Sequence, residues 1–243
     1  YVALDNHKYG DYTPYLYKTT NGGKSWTSID AGIPEGTLVW RIVQDHVNSN
    51  LMFLATEYGI YVSLNQGGNW HKFSTGLPTI AVRDLAIQKR ENDLVIATFG
   101  RSFYVLDDYS PLRDLTEESV NKEAILFPSR TALQYTPVRA GTSSQGGSFY
   151  TAKNPEYGAM FTVYLKEGHT SLKAARKKQE GALEKEDIPF PGWDVLDKEG
   201  NEAKSEGILV IRDASGEVVD RISMALKKGV QRVNWDLKRP YIS

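Results

Sequence analysis

The chain runs to 243 residues, enough for one large or two small domains. Its 29 basic and 30 acidic residues leave a net charge of −1, so no chain-wide field draws it to nucleic acid or to an anionic membrane. No apolar run approaches the roughly 20 residues of a membrane-spanning helix, and the absence of cysteine excludes disulfides, thiolate ligands and thiol nucleophiles. From the N-terminus, runs rich in β-branched and aromatic residues occupy 1–4, 15–19 and 26–29, then 39–44, 51–56, 60–64 and 70–73, then 82–88, 94–98 and 103–106. Gly, Asn and Pro separate them, and each is too short for a helix, so all read as strands.

These strand groups repeat. Tyr17-Lys-Thr-Thr-Asn-Gly-Gly-Lys-Ser-Trp26 is matched by Tyr61-Val-Ser-Leu-Asn-Gln-Gly-Gly-Asn-Trp70, and Asn50-Leu-Met-Phe-Leu-Ala-Thr56 by Asn92-Asp-Leu-Val-Ile-Ala-Thr98. A period of roughly 40–45 residues built from short strands is that of a four-stranded propeller blade. We therefore expect an all-β fold whose residues 1–138 form the last two to three blades of an incomplete β-propeller, with a degenerate outer strand in the final blade. Such a part cannot close a ring, because each blade needs a neighbour on both faces, so partner blades are expected upstream of a chain that opens directly in a strand.

Beyond residue 106 the pattern changes. Asp107-Asp-Tyr-Ser-Pro has turn chemistry, and residues 139–153, rich in Gly, Ser and Thr, read as a linker. Strand-like runs at 159–165, 207–212, 217–222 and 230–235 predict a small antiparallel β-sandwich over 154–243, with Asp213-Ala-Ser-Gly216 as a tight turn. A charged insertion near 170–187 reads as a helix capped by Thr170 or Ser171, with Arg176 and Glu180 paired at i,i+4 and Gly181 weakening it.

The repeated octapeptide has a physical purpose. Thr19, Asn21, Gly23, Ser25 and Trp26, and again Ser63, Asn65, Gly67 and Trp70, suit a compact turn between two outer strands. The Asn bonds the turn's amides, the Gly takes positive φ, and the Trp packs beneath. This is the Asp-box pattern, with Asn69 replacing the usual Thr or Ser in the second copy.

On those residues the chain resembles the BNR/Asp-box superfamily of β-propellers, which includes sialidases, xyloglucan-cleaving glycoside hydrolases and sortilin-type proteins. It is most similar to large bacterial proteins in which a propeller is followed by a fibronectin- or Ig-like sandwich. Three stretches carry this: Val95-Ile-Ala-Thr-Phe-Gly-Arg-Ser-Phe-Tyr-Val-Leu-Asp-Asp108, Asn154-Pro-Glu-Tyr-Gly-Ala-Met-Phe161 and Gly229-Val-Gln-Arg-Val-Asn-Trp-Asp-Leu237. The resemblance implies a secreted, periplasmic or cell-surface bacterial protein, and an Asp-box on the periphery that is structural rather than catalytic.

No catalytic constellation emerges from the remaining residues. Asp107 and Asp108 adjoin Arg101, but consecutive strand residues face opposite ways and make a poor dyad. His7, His46, His71 and His169 lack metal-ligand spacing, and the polar run from Asp5 to Asp11 lacks the regularity of a calcium loop, so no metal and no cofactor are expected. Lys173–Lys178 is answered by Glu180, Glu184, Glu186 and Asp187 and reads as a solvated face. Trp40, Tyr58 and Trp193 are the candidate exposed aromatics. Trp40, with Arg41 and Arg101, is the choice for a ligand-facing position, because loops entering a blade's inner strand ring the central channel. The expected function is a non-catalytic binding or scaffold segment with a peptide, protein or glycan ligand. The alternative is part of a glycoside hydrolase whose catalytic residues lie upstream.

Overall fold

A computed structural model of the protein describes residues 1–74, 76–116, 118–136, 152, 154–183 and 188–239. The chain divides into two compact units, Tyr1–Ser119 and Val120–Ser243. It is mostly β-structure in small antiparallel sheets, none of them closed.

Three sheets make the first unit. Strands β1 (Val2–Asn6), β2 (Asp11–Lys18) and β3 (Thr27–Ser28) form one; β4 (Val39–Gln44), β5 (Met52–Thr56), β6 (Gly59–Ser63) and β7 (His71–Phe73) form the second; β8 (Val82–Gln88), β9 (Asp93–Thr98) and β10 (Phe103–Leu106) form the third. Each is a meander with neighbouring strands paired in chain order. The outer strand expected after β10 is not found among the described residues. The chain instead turns at Asp108, which takes a positive φ of 43°, into a 3-10 turn at Ser110–Asp114 whose Pro111 and Leu112 are buried.

The middle sheet holds the stack together. Successive residues of a strand point to opposite faces, and here both faces are covered. Met52, Leu54, Tyr61 and Trp70 pack with Leu16 and Ile33 of the first sheet's side, while Phe53, Ala55, Ile60 and Val62 pack with Val82, Leu85, Leu94 and Ile96 of the third. This double burial explains why residues 51–55 read as an unbroken apolar run rather than an alternating one. The third sheet covers one face only: Tyr104 and Leu106 turn inward, whereas Phe103 and Val105 are 65% and 45% exposed.

The sequence repeat also extends to an irregularity. In β4 the register against β5 slips between Val39 and Arg41, and in β8 it slips at the corresponding place against β9, between Val82 and Asp84. Trp40 and Arg83 are the extra residues of two equivalent bulges.

The second unit contains β11 (Ala124–Leu126), β12 (Ala159–Leu165), α1 (Leu172–Glu180), α2 (Trp193–Gly200), β13 (Glu206–Arg212), β14 (Val218–Ala225) and β15 (Gly229–Trp235). The sheet order is β11-β12-β15, with β13-β14 as a separate hairpin. Strand β11 corrects the expected boundary at residue 138. It pairs with β12, Ile125 opposite Tyr164, and so belongs to the second unit. The expected linker at 139–153 lies outside the described residues apart from Ala152. Helix α1 is capped by Ser171, whose hydroxyl accepts the Ala174 amide at 3.2 Å. Arg176 binds both Glu180 and, on the unforeseen helix α2, Glu199, each at 2.6 Å. In the β13-β14 turn, Asp213 accepts the amides of Ser215 and Glu217, and Gly216 takes φ 87°. The unit's core is thin: among the described residues only Phe127, Ala159, Thr162 and Val163 are buried.

Candidate functional site

The two octapeptide turns are built alike. Thr19 Oγ1 accepts the Gly23 amide at 3.0 Å and Asn21 Oδ1 accepts the Ser25 amide at 3.0 Å; Ser63 and Asn65 do the same for Gly67 and Asn69, both at 2.9 Å. Gly23 and Gly67 adopt φ 88° and 83°. The indoles differ. Trp70 is 2% exposed and donates its Nε1 to Ile29 O at 2.7 Å, a bond across to the preceding sheet, whereas Trp26 is 46% exposed. Neither turn lines the cleft around Trp40 and Arg83.

A second network, not anticipated from sequence, ties the end of the first unit to its middle sheet. The carboxylate of Asp45, just beyond β4, has no solvent exposure. It accepts Arg113 Nε at 2.8 Å, Arg113 Nη2 at 2.9 Å, the Tyr109 hydroxyl at 2.6 Å and the amides of Val47 and Asn48. Burial by itself would raise the Asp45 pKa, but the bonds from Arg113 and Tyr109 outweigh it and hold the carboxyl well below the usual carboxylate range. Burial first, then Asp45, raises the Tyr109 phenol. Arg113 reaches on to Asn92 Oδ1 at 2.6 Å. Both oxygens of the Asp45 carboxylate are spent on the fold, which marks the cluster as a structural staple.

A cleft of the first unit lies at the two bulges. Bulges re-aim a side chain out of the regular ladder, and these two bring Trp40 and Arg83 together. The Arg83 guanidinium lies 3.8 Å from the centre of the Trp40 ring and 5.4 Å from that of Phe99. Glu57, following β5, accepts Trp40 Nε1 at 3.1 Å and stands 4.0 Å from Arg83 Nη2. The ring of His7 meets Trp40 edge-on at 5.7 Å, and His7 is itself held by Asp5. His7, Trp40, Glu57 and Arg83, with Tyr12, Leu38 and Tyr58, line a cleft of about 240 Å³. Each of the three sheets, or the turn inside it, thus contributes to one cleft.

Of the residues singled out from sequence, Trp40 and Tyr58 line this cleft, whereas Arg41 and Arg101 do not. Arg41 pairs with Asp84 at 3.3 Å on the open surface, and Arg101 is exposed in the turn between β9 and β10. Trp193 is exposed in the second unit, edge-on to Phe190 at 5.3 Å. Sequence reasoning missed Arg83 and Glu57. The signal for Arg83 was its place opposite Trp40 in the repeat, which becomes informative only once both are bulged. Among the described residues no cluster of His, Asp and Glu has a metal-ligating arrangement, and no helix is long and apolar enough to cross a membrane.

A comparison of the chain with protein-family models, curated proteins and solved structures finds no match. The chemistry of the cleft is a stacked cation, a carboxylate already engaged with an indole, and half-exposed phenol rings. Such groups can stack, donate and accept hydrogen bonds.

Proposed function

We propose that this chain is a binding segment of a secreted bacterial BNR-type protein. In this reading its first unit supplies closing blades of an Asp-box β-propeller, its second unit is a small Ig-like sandwich, and the bulge-lined cleft takes a peptide or glycan. The observation that carries the reading is the pair of equivalent bulges, which turn one residue from each of two successive sheets into a single cleft. Bulges re-aim side chains and are over-represented next to active sites, and here both aim a residue at the same place. The propeller reading draws support from a middle sheet covered on both faces, flanked by sheets that leave Phe103, Val105 and Leu4 exposed. Such half-covered sheets call for further sheets of the same repeat, which upstream blades would supply.

The test is a ligand screen of the whole chain against immobilised glycans and peptides, repeated with Trp40→Ala. Binding that falls with that substitution supports the reading. Ligands retained in full by Trp40→Ala would show that the cleft is not the site.

A further inference from the structure

Resting on the reading of the cleft as a ligand site, we propose that its ligand is an acidic sugar chain, and that Arg83 recognises the carboxylate of a hexuronate residue within it. The guanidinium carbon sits 3.8 Å from the centre of the Trp40 ring, with Phe99 farther off at 5.4 Å, so the indole restrains the side chain while its donors stay unspent. Its nearest carboxylate oxygen, on Glu57, is 4.0 Å away, beyond hydrogen-bonding reach. The Arg83 side chain makes no hydrogen bond among the described residues and is 42% exposed. A planar fork of unspent donors, pre-oriented by stacking, is the arrangement that takes a carboxylate in two parallel bonds.

The walls of the cleft argue for a sugar as the carrier of that carboxylate. Tyr12 and Tyr58 are half-exposed at its rim, and a phenol combines an apolar body with a polar tip, matching a pyranose that is apolar on its faces and hydroxylated at its edge. The indole of Trp40 is not the platform, since Arg83 covers it. Beyond Tyr12 and Gly36 a second hollow of about 400 Å³ opens beside Thr13, Pro14 and Glu35, giving the chain's next residue a place. Glu57 opposes any anion bound to Arg83. Fork geometry must therefore supply the affinity, and removing the Glu57 charge should improve it while a Gln carbonyl still accepts the Trp40 N–H.

The experiment is calorimetric titration and tryptophan fluorescence of the whole chain with oligogalacturonate, its methyl ester, a neutral oligosaccharide and a peptide with a free C-terminal carboxylate. Oligogalacturonate is expected to bind, and the ester to bind at least about tenfold more weakly, the scale of one charge-assisted bidentate contact. Arg83→Gln and Arg83→Lys should lose binding by a similar factor, and Glu57→Gln should bind more tightly, with circular dichroism unchanged in each. Equal binding of acid and ester, preference for the peptide, or weaker binding by Glu57→Gln would overturn the proposal. Trp40-dependent binding of the neutral sugar or the peptide alone would sink the acidic-sugar inference and leave the binding reading standing. If none of the four probes binds, the inference is overturned, and failure of the broader ligand screen would remove the binding reading as well.

Discussion

Trp26 and Trp70 hold the same place in two copies of one turn, yet their energetic roles diverge because only Trp70 has a neighbouring sheet over it. Trp70→Ala deletes a buried ring and its bond to Ile29 and should cost about 3–5 kcal/mol. Trp26→Ala, at 46% exposure, should cost on the order of 1–2 kcal/mol, because much of that ring already meets water. Urea denaturation of both variants checks the difference, and equal losses would contradict it. The Asp45 staple makes a second prediction. Arg113→Ala leaves a buried carboxylate without its counter-ion and should destabilise the first unit by about 3–5 kcal/mol. Because the folded Asp45 pKa lies below its unfolded value of about 3.9, its contribution is complete above roughly pH 5 and is lost as pH falls toward the folded pKa. Asp45→Asn should therefore flatten the acid side of the stability profile. An unchanged slope between pH 5 and pH 2, read from urea melts, would exclude this linkage.

Most strands were legible in the sequence, since β-branched runs bounded by Gly, Asn and Pro marked them, as at Val39–Gln44 and Ala159–Leu165, but β2 begins at Asp11 rather than 15, β14 runs on to Ala225 and β11 was not expected. The bulges were not legible, because an inserted residue changes pairing rather than composition. Glycines show the same contrast between local and tertiary causes. Gly32 has φ 88°, and a Cβ there would sit 2.4 Å from Trp70 O, so Gly32→Ala must move backbone as well as bear strain. Gly22 has φ 71° with open space around it, so Gly22→Ala bears the strain alone. We expect about 1 kcal/mol for Gly22→Ala, the usual penalty of left-handed alanine, and clearly more for Gly32→Ala. Thermal melts that rank the two the other way would show that the approach of Gly32 to Trp70 is not a constraint.

At the scale of the molecule, the position of β11 decides where the chain can be cut. A fragment beginning at Val120 keeps the β11-β12 pairing and the buried Phe127, whereas one beginning at Asn154 loses both from a unit with few buried residues. The longer fragment should give dispersed amide resonances and the shorter one should not. Two well-dispersed spectra would make β11 dispensable. The uncovered face of the third sheet has a consequence for the first unit. Phe103→Lys with Val105→Lys should lower its tendency to self-associate in light scattering while leaving the inward-facing Tyr104 and Leu106 in place.

Composition and periodicity alone determined that the chain is β-rich, where its repeats lie and which turns carry Asn and Gly, because those features depend on bonds between residues close in the chain. Tertiary structure decided the rest. The Asp45–Arg113 pair spans 68 residues, β11 pairs across to Leu165 and its neighbours, and the cleft gathers His7, Trp40, Glu57 and Arg83 from three sheets. Each depends on which faces of distant strands meet, and a period-2 pattern that is buried on both sides leaves no trace of its partner in the local sequence.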